Sequence, residues 1–185
     1  MIGPTGSGKT FLSRIIAKAG GGLVVTADDI RIALRKENQS YEKVVPITEN
    51  ITKYYLNHYK KVILDSDFSD WKKRALIRSF ASRSGAKLIF VQVICDYDVI
   101  AGRVLADQYS ETKNQFFHGA SCLWQGDDHG KVVKLRELWR NTPNHFAWSK
   151  SNQMGGSWKP KKISCASITI DTTEGVKVET IKKLF

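Results

Sequence analysis

The sequence predicts an α/β fold of three layers, in which helices cover both faces of a central parallel sheet. Two observations predict it: short apolar, β-branched runs alternate with amphipathic helical segments, and the run over 88–94 is almost continuously apolar. The chain has 185 residues, of which 42% are hydrophobic, so it is long enough for one sizeable core and too short for two full domains. We therefore expect a single domain over residues 1–185.

The elements are expected to follow a glycine-rich loop at the amino terminus. Only Met1 and Ile2 precede this loop, so we expect the first strand either to be very short or to be cut short in this sequence. The next apolar residues recur at helical spacing before a stop at three glycines: Phe11, Leu12, Ile15, Ile16 and Ala19.

Four further strands and the helices between them follow from the same patterns. The predicted strands are 23–26, 62–64, 88–94 and 168–171. The predicted helices are 28–36, 46–59, 71–84, 96–105 and 176–184. In the second of these helices the residues expected to face inward are Ile47, Ile51, Tyr54 and Tyr55.

The pattern weakens between residues 107 and 162, where only 131–140 reads as a convincing helix. We interpret this region as a helical or irregular lid or substrate-binding insertion. It has no acidic residue from Leu138 to Lys162. Its cations and aromatics are interleaved: Arg140, Lys150, Lys159, Lys161 and Lys162 with Trp139, His145, Phe146, Trp148 and Trp158. This composition suits single-stranded nucleic acid, whose bases stack on rings, but the same rings could equally form a small core of the lid.

The amino-acid composition restricts the cellular compartment and the classes of binding partner that we expect. A formal charge of +11 would attract a polyanion such as nucleic acid, or a phosphorylated small molecule. Three cysteines lie far apart without a metal-binding spacing, which favours a reducing, cytoplasmic setting. No apolar run approaches the roughly 18 residues needed to cross a bilayer, so no membrane association is expected.

The loop from Gly3 to Thr10 matches the phosphate-binding pattern G-x-x-x-x-G-K-[ST]. Its backbone N–H groups and the following helix dipole would hold the phosphates of ATP, and Lys9 would neutralise them. The Thr10 hydroxyl would bind Mg²⁺. The cofactor-binding residues expected here are Gly3, Thr5, Gly6, Ser7, Gly8, Lys9 and Thr10. The alternative is a flexible glycine turn that happens to precede a helix.

Two groups of carboxylates follow predicted strands, where the crevice of a doubly wound sheet lies. Phosphoryl transfer to an alcohol needs a proton acceptor and a magnesium site, so acids are expected there. The first group begins at Asp28 and Asp29, and helix capping is its alternative explanation. The second comprises Asp65 and Asp67 and has the hydrophobic-run-plus-Asp pattern of a Walker B strand; a plain strand-ending turn is the alternative.

Together, the phosphate loop, the D-x-x-R segment Asp28 to Arg31 and the Asp65 strand end resemble the polynucleotide kinase and zeta-toxin-like family of P-loop kinases. The resemblance covers about residues 1–105 and the last strand and helix. It implies that Asp28 is the general base and that Arg31 contacts the substrate phosphate. It also implies that Asp65 positions the acceptor or Mg²⁺ and that Asp171 lies beside the adenine.

This sequence departs from the family's pattern on the helix after the fourth strand, where the family has a pair of arginines. Arg103 matches the first, but Asp107 stands where the second, a lid arginine, is expected. The candidates to replace it are Lys113, or Arg136 and Arg140, which share a helical face.

The function expected is that of an ATP- and Mg²⁺-dependent kinase acting on a hydroxyl group, preferably the 5′-hydroxyl end of DNA or RNA. One alternative is a kinase of a nucleoside, a nucleotide, another small molecule or a hydroxymethylated base in DNA. Another is an ATP-binding regulator or slow ATPase. The oligomeric state does not follow from the sequence.

Overall fold

The computed structural model describes residues 1–59, 61–106, 127–150 and 155–182, with only the backbone described for 127–134 and 182. The helices are α1 Lys9–Gly20, α2 Ala27–Lys36, α3 Val44–His58, α4 Trp71–Arg83, α5 Tyr97–Ala106, α6 Asp127–His145 and α7 Val178–Lys182. The strands are β1 Leu23–Thr26, β2 Val62–Asp65, β3 Val91–Ile94, β4 Phe146–Lys150, β5 Gly156–Pro160 and β6 Ile168–Asp171. A 3₁₀ turn at Tyr41–Lys43 precedes α3.

The central sheet consists of two parallel pairs, β1 with β2 and β3 with β6. Met1 and Ile2 join them, because the Met1 amino group donates to the Leu64 carbonyl on one side. On the other side Ile2 forms a parallel bridge to Gln92. The order across the sheet is therefore β1, β2, Met1–Ile2, β3 and β6, all parallel, and the predicted α/β fold class is confirmed.

Apolar clusters lie on both faces of this sheet. One cluster packs α1 and α7 against β3 and β6 and includes Leu12, Ile16 and Val93. A second packs α2 and α3 against β1 and β2 and includes Val25 and Ile30. Burial of such side chains stabilises the fold by about 25 cal/mol per Å² of apolar surface removed from water.

Several predicted details need correction. The strand predicted over 88–94 is a strand only over Val91–Ile94. Tyr54 was expected to face inward but is 59% exposed, because α3 turns Ile47, Ile51 and Tyr55 toward the cluster instead. Phe11 is likewise 58% exposed, since α1 buries Leu12, Ser13, Ile16 and Ala17.

The region expected to be irregular contains regular structure in its described part. The helix predicted over 131–140 extends over 127–145, and an antiparallel hairpin of β4 and β5, absent from the sequence prediction, follows it. Its first residue, Phe146, is 1% exposed and packs with Leu138, Ile100 and Val104 in a third cluster. The hairpin is thus joined to α5 and α6 by a core of its own; the boundaries of the insertion, 107–162, remain a prediction.

None of the helices in the described ranges is both long and apolar enough to cross a membrane.

Candidate nucleotide and phosphoryl-transfer site

The predicted site residues converge on one edge of the sheet. Thr26 pairs with Asp65 at the carboxyl ends of β1 and β2, and Ile94 pairs with Asp171 at the carboxyl ends of β3 and β6. All these strands are parallel, so their ends meet at the same edge. Ile2 runs between them directly into Gly3, and the glycine-rich loop therefore lies at this edge too.

The loop backbone has the shape of an anion cradle. Gly8, which precedes α1, has a φ of 86°, a conformation that glycine adopts without strain. A Cβ at Gly6 would lie 2.9 Å from the Ile100 Cγ2, so no larger residue fits there without a shift. No side chain caps the start of α1 and no acid lies in its first turn. Its N–H groups and dipole are thus available to phosphate oxygens.

Thr172, which follows the predicted Asp171 directly after β6, supports this loop. Its side chain is 4% exposed, and its hydroxyl donates to the Ser7 carbonyl at 2.8 Å. Arg103 donates to the Thr172 hydroxyl at 3.3 Å, to the Thr172 carbonyl and to the Cys95 sulfur at 3.4 Å. The structure therefore places Arg103 behind the loop, as a brace for Thr172, and its catalytic role stays a prediction.

Lys9 is folded over the loop. Its Nζ donates to the Pro4 carbonyl at 2.8 Å, while the neighbouring Thr10 is exposed at the start of α1. Lys9 would have to exchange this carbonyl for phosphate oxygens when a nucleotide binds, because its ammonium can neutralise their charge.

Asp65 is the best candidate for a magnesium ligand. It is 5% exposed, and its Oδ2 has no hydrogen-bond partner among the described residues. A buried carboxylate oxygen without a partner is costly unless a cation or water fills the position. The described part of the chain holds no cluster of three or more potential ligands. Asp65 and Thr10 therefore fit Mg²⁺ only as members of a shell completed by phosphate oxygens and water.

Asp67 has a partner that the sequence analysis missed. Its Oδ2 lies 3.1 Å from the Nε2 of His145, which is 3% exposed at the end of α6, and the Ser69 hydroxyl donates to the same oxygen. Burial tends to raise the pKa of Asp67, but the His145 hydrogen bond and the charges of His145 and Lys9 outweigh burial and hold that pKa well below its usual range. No local signal could reveal this contact, because the two residues are 78 positions apart.

Asp28 and Arg31 lie about one turn apart at the start of α2. The Arg31 Nη1 donates to the Asp28 Oδ1 at 2.7 Å, and the two side chains are 28% and 35% exposed. Since α2 follows β1 directly, both residues stand at the site edge, two to five positions beyond Thr26.

The remaining predicted residues are placed as follows. Asp171 is exposed, and its Oδ1 accepts from the backbone and hydroxyl of Thr173 in a tight turn. Arg136 and Arg140 are exposed on α6, while Lys113 lies outside the described residues.

The aromatic residues of α6 and the hairpin divide into two sets. Phe146 and Trp158 pack with Tyr97, at ring-centroid distances of 5.4 Å and 6.2 Å from it, and belong to the third cluster. Trp148 contacts Trp158 edge-on but remains 51% exposed, and Trp139 is 73% exposed. The small-core interpretation is thus right for the first set, while the rings of the second set are largely exposed to solvent.

Comparison with solved structures supports the fold. A protein from Chloroflexus aurantiacus J-10-fl, provisionally named a kinase, matches 99% of this chain over 94% of its own, with 15% identity and a TM-score of 0.58. The tunicamycin resistance protein of Deinococcus radiodurans matches 99% of this chain over 89% of its own, with 16% identity and a TM-score of 0.53. At these identities the likeness concerns the fold alone.

A search of curated proteins finds no match to this chain. A family model does match, however: the model described as "AAA domain" covers residues 1–123. That stretch contains the phosphate loop, Asp28 and Arg31, and the Asp65 strand end, and it amounts to about two thirds of the chain. The chain therefore belongs to the AAA domain family.

Proposed function

We propose that this protein is an ATP-dependent phosphotransferase that moves the γ-phosphate of ATP to a hydroxyl group. The observation that carries the proposal is the meeting, at one sheet edge, of an uncapped helix start, Lys9 and an Asp65 Oδ2 that has no hydrogen-bond partner among the described residues. The kinase name of the Chloroflexus aurantiacus neighbour, which shares the fold, is consistent with it.

The chain's own residues would bind and orient the nucleotide. The backbone N–H groups from Gly6 to Thr10 would hold the β-phosphate, and Lys9 would leave the Pro4 carbonyl to neutralise the β- and γ-phosphates. Thr10 and Asp65 would hold Mg²⁺, directly or through water. When bound, Mg²⁺ supplies positive charge that stabilises the charge developing on the phosphate oxygens.

Asp28 would act on the acceptor. Its carboxylate takes the proton of the acceptor hydroxyl while that oxygen bonds to the γ-phosphorus and the bond to the β–γ bridging oxygen breaks, releasing ADP. Arg31, released from its 2.7 Å contact with Asp28, would bind a phosphate of the acceptor. The opening of this ion pair would thus prepare the base and the substrate contact in one step.

A 5′-hydroxyl end of DNA or RNA is the acceptor class that we propose. The net charge of +11 favours a polyanionic substrate. Trp148 offers an exposed ring on one face of the hairpin, and Lys159 offers an exposed cation on the other face. Because Phe146 and Trp158 belong to the core, the hairpin would stack only a few bases.

The first test is transfer of labelled γ-phosphate from ATP with Mg²⁺ to 5′-hydroxyl DNA and RNA oligonucleotides, nucleosides and nucleoside monophosphates. We expect label on the oligonucleotide ends, and roughly a 100-fold or greater loss with Asp28→Asn while ATP affinity is kept. Asp29→Asn, at the exposed neighbouring position, is the matched control and should transfer normally. Label only on small molecules would contradict the proposed acceptor, and ATP binding without any label would contradict the kinase.

The second test concerns the nucleic-acid surface. Trp148→Ala and Lys159→Ala should each raise the KM for oligonucleotides several-fold without changing ATP affinity. Trp148 would stack a base, which is worth about 1–3 kcal/mol, and Lys159 would meet a backbone phosphate. Lys87→Ala removes the same charge from an exposed position before β3, at the opposite edge of the sheet, and should have no effect. Equal effects of Lys87→Ala and Lys159→Ala would reduce the role of the hairpin to general attraction by charge.

A further inference from the structure

Helix α4 and the turn after it concentrate positive charge. No acidic residue occurs from Trp71 to Cys95. Residues 71–87 contain six cations, which amount to more than half of the net charge of +11: Lys72, Lys73, Arg74, Arg78, Arg83 and Lys87. A segment with this density of like charge attracts an anionic partner.

The cations in the first turn of α4 do not stabilise the helix. Lys72, Lys73 and Arg74 follow closely after the N-cap residue Asp70, and the first turn contains no acid. The amino-terminal end of a helix carries a partial positive charge, so acids stabilise it and cations do not. Arg74 and Arg78, four positions apart, also repel each other. The placement of these charges therefore favours a role in binding.

The cations of α4 differ in how available they are to a partner. Arg74 donates to two carbonyl groups of the segment that enters the helix. Arg83 lies 4.0 Å from a carboxylate oxygen of Glu49. Lys72 and Lys73 are exposed, and neither forms an ion pair with an acid in the described ranges. These two lysines are thus free to meet an anion.

An exposed aromatic ring lies beside the two lysines. Trp71 is 66% exposed, and the Lys72 Nζ lies 5.9 Å from the centre of its ring. Leu76 is the other large apolar side chain that α4 exposes, which is too little apolar surface for a helix that enters a bilayer. A ring next to a cation is the combination that binds single-stranded nucleic acid, because bases stack on the ring and phosphates meet the cation.

The start of α4 lies next to the phosphoryl-transfer site. Its N-cap residue Asp70, which accepts from the Lys72 N–H at 2.8 Å, is five positions beyond Asp65. Asp67, between the two acids, is held by His145. Because β2 ends at the site edge and the parallel β3 begins at the opposite edge, α4 leads away from the site. A strand whose end occupies the site can therefore continue along α4.

We propose that the first turn of α4 binds single-stranded nucleic acid, with a base stacked on Trp71 and backbone phosphates bound by Lys72 and Lys73. This inference rests on the proposed function in one respect, since the bound strand is taken to be the acceptor whose 5′-hydroxyl end lies at the transfer site. The transfer site then holds the end of the strand, and α4 holds nucleotides that follow it. Lys87, at the opposite edge of the sheet, takes no part.

The test measures binding of a single-stranded oligonucleotide with a 3′ fluorophore, by fluorescence anisotropy without ATP. Lys72→Ala/Lys73→Ala should weaken binding about tenfold or more at low salt. It should also reduce the slope of log K against log salt concentration by about 1.4, since each phosphate contact to a single strand contributes about 0.7. The control Lys18→Ala/Lys36→Ala removes two exposed lysines from the far ends of α1 and α2 and should change neither quantity.

The ring is tested separately in the same assay. Trp71→Ala should weaken binding about tenfold with no change in the salt slope, because a stacked base is lost and no charge is removed. Trp71→Phe keeps a ring and should recover most of the affinity. All of these side chains are exposed, so the unfolding temperature of each variant should stay that of the original chain.

Equal losses of affinity in the α4 pair and the control pair would overturn the proposal, because binding would then depend on net charge alone. Full affinity of Trp71→Ala would reject stacking at this surface. A duplex that binds as tightly as the single strand, and is weakened equally, would also count against the proposal. If the α4 pair lost binding to phosphatidylglycerol vesicles but not to the oligonucleotide, the partner would be a membrane surface.

The binding assay separates this inference from the proposed function. Binding that is lost in the α4 pair, together with no phosphoryl transfer by any chain, would contradict the kinase and support the nucleic-acid surface. Transfer to oligonucleotides with an unchanged KM in the α4 pair, together with unchanged binding, would support the kinase and refute the surface. If both proposals hold, the α4 pair should raise the KM for oligonucleotides about tenfold and leave kcat unchanged.

Discussion

The sheet edge and the α6–hairpin region differ in whether their buried polar side chains have hydrogen-bond partners. At the edge, the Ser7 hydroxyl and the Asp65 Oδ2 are buried without a partner in the described chain. In the hairpin region, the buried Thr142 hydroxyl donates to Leu138 O at 2.8 Å, and the buried His145 Nε2 lies 3.1 Å from the Asp67 Oδ2. Buried polar atoms without hydrogen-bond partners indicate a site where a ligand supplies the missing partner. Buried polar atoms that already have partners indicate a region whose contacts serve the stability of the fold.

Among the described residues, one contact between the two regions is the His145–Asp67 pair. It joins the end of α6 to the carboxyl end of β2, two residues beyond Asp65. Through this pair the hairpin region can influence the position of the acids at the site. The following predictions separate the two regions or test the contact between them, in order of decreasing effect.

The largest effect on stability is expected in the hairpin core. Phe146→Ala should lower the free energy of unfolding by about 3–5 kcal/mol, because the ring is 1% exposed and its removal leaves a cavity. Urea unfolding measures the change. Trp139→Ala, where the ring is 73% exposed, is the control and should change it by less than about 0.5 kcal/mol. Similar losses of unfolding free energy in both variants would contradict the division of the aromatic residues into a packed set and an exposed set.

At the sheet edge the largest effect is expected on binding and not on stability. Lys9→Ala should weaken ATP binding by about 100-fold or more, since one charged contact to phosphate is lost, while its 2.8 Å contact with Pro4 O adds little to stability. Calorimetry with ATP and Mg²⁺ measures the affinity. Lys18→Ala removes a lysine from the other end of α1 and should bind normally. Full affinity of Lys9→Ala would refute the phosphate-binding role.

The buried amino group of Met1 makes stability depend on pH. Its pKa is about 5 when folded and 8.0 when unfolded, so between these values the unfolded chain holds more protons and stability rises with pH. Relative to an amino-terminally acetylated chain, the free chain should gain about 2–4 kcal/mol from pH 5 to pH 8, at 1.36 kcal/mol per pKa unit. Parallel curves for the two chains would show that the amino group is solvated.

The contact between His145 and Asp67 should make a smaller contribution to the free energy of unfolding. His145→Leu and Asp67→Asn should each lower the free energy of unfolding by about 1–3 kcal/mol, and the double variant by clearly less than their sum. Because the pKa of Asp67 is held below its usual range, this contribution is present above about pH 4 and is lost as the pH falls further. Strict additivity in a double-mutant cycle would mean that the two residues do not interact in solution.

The smallest effect is expected behind the loop. Thr172→Val keeps the shape of the side chain but removes the hydrogen bond to Ser7 O, and should cost about 1 kcal/mol of stability and weaken ATP binding several-fold. Thr172→Ser keeps the hydroxyl and should restore the affinity. If the serine variant binds ATP as weakly as the valine variant, packing of the methyl group is the property that matters.

The phosphate loop, the order of strands and helices, and the carboxylates at the strand ends could all be predicted from sequence. Each depends on residues close together in the chain, whose spacing encodes a turn, a helix face or a buried strand. The hairpin was missed because most of its residues are exposed, so β4 shows no clear alternation of apolar and polar positions. Tyr54 was placed wrongly because spacing identifies a helix but not which of its apolar residues meet the sheet.

By itself, the sequence determined the family, the cradle from Gly3 to Thr10 and the general composition of the site, since these follow from local backbone chemistry. Only the tertiary structure decided that Arg103 braces Thr172 and that His145 holds Asp67. It also decided that one Asp65 oxygen has no partner within the described part of the chain. The partners of Arg103 and His145 lie 69 and 78 residues away. Such contacts depend on how the layers pack around the sheet, and no local pattern of residues records that packing.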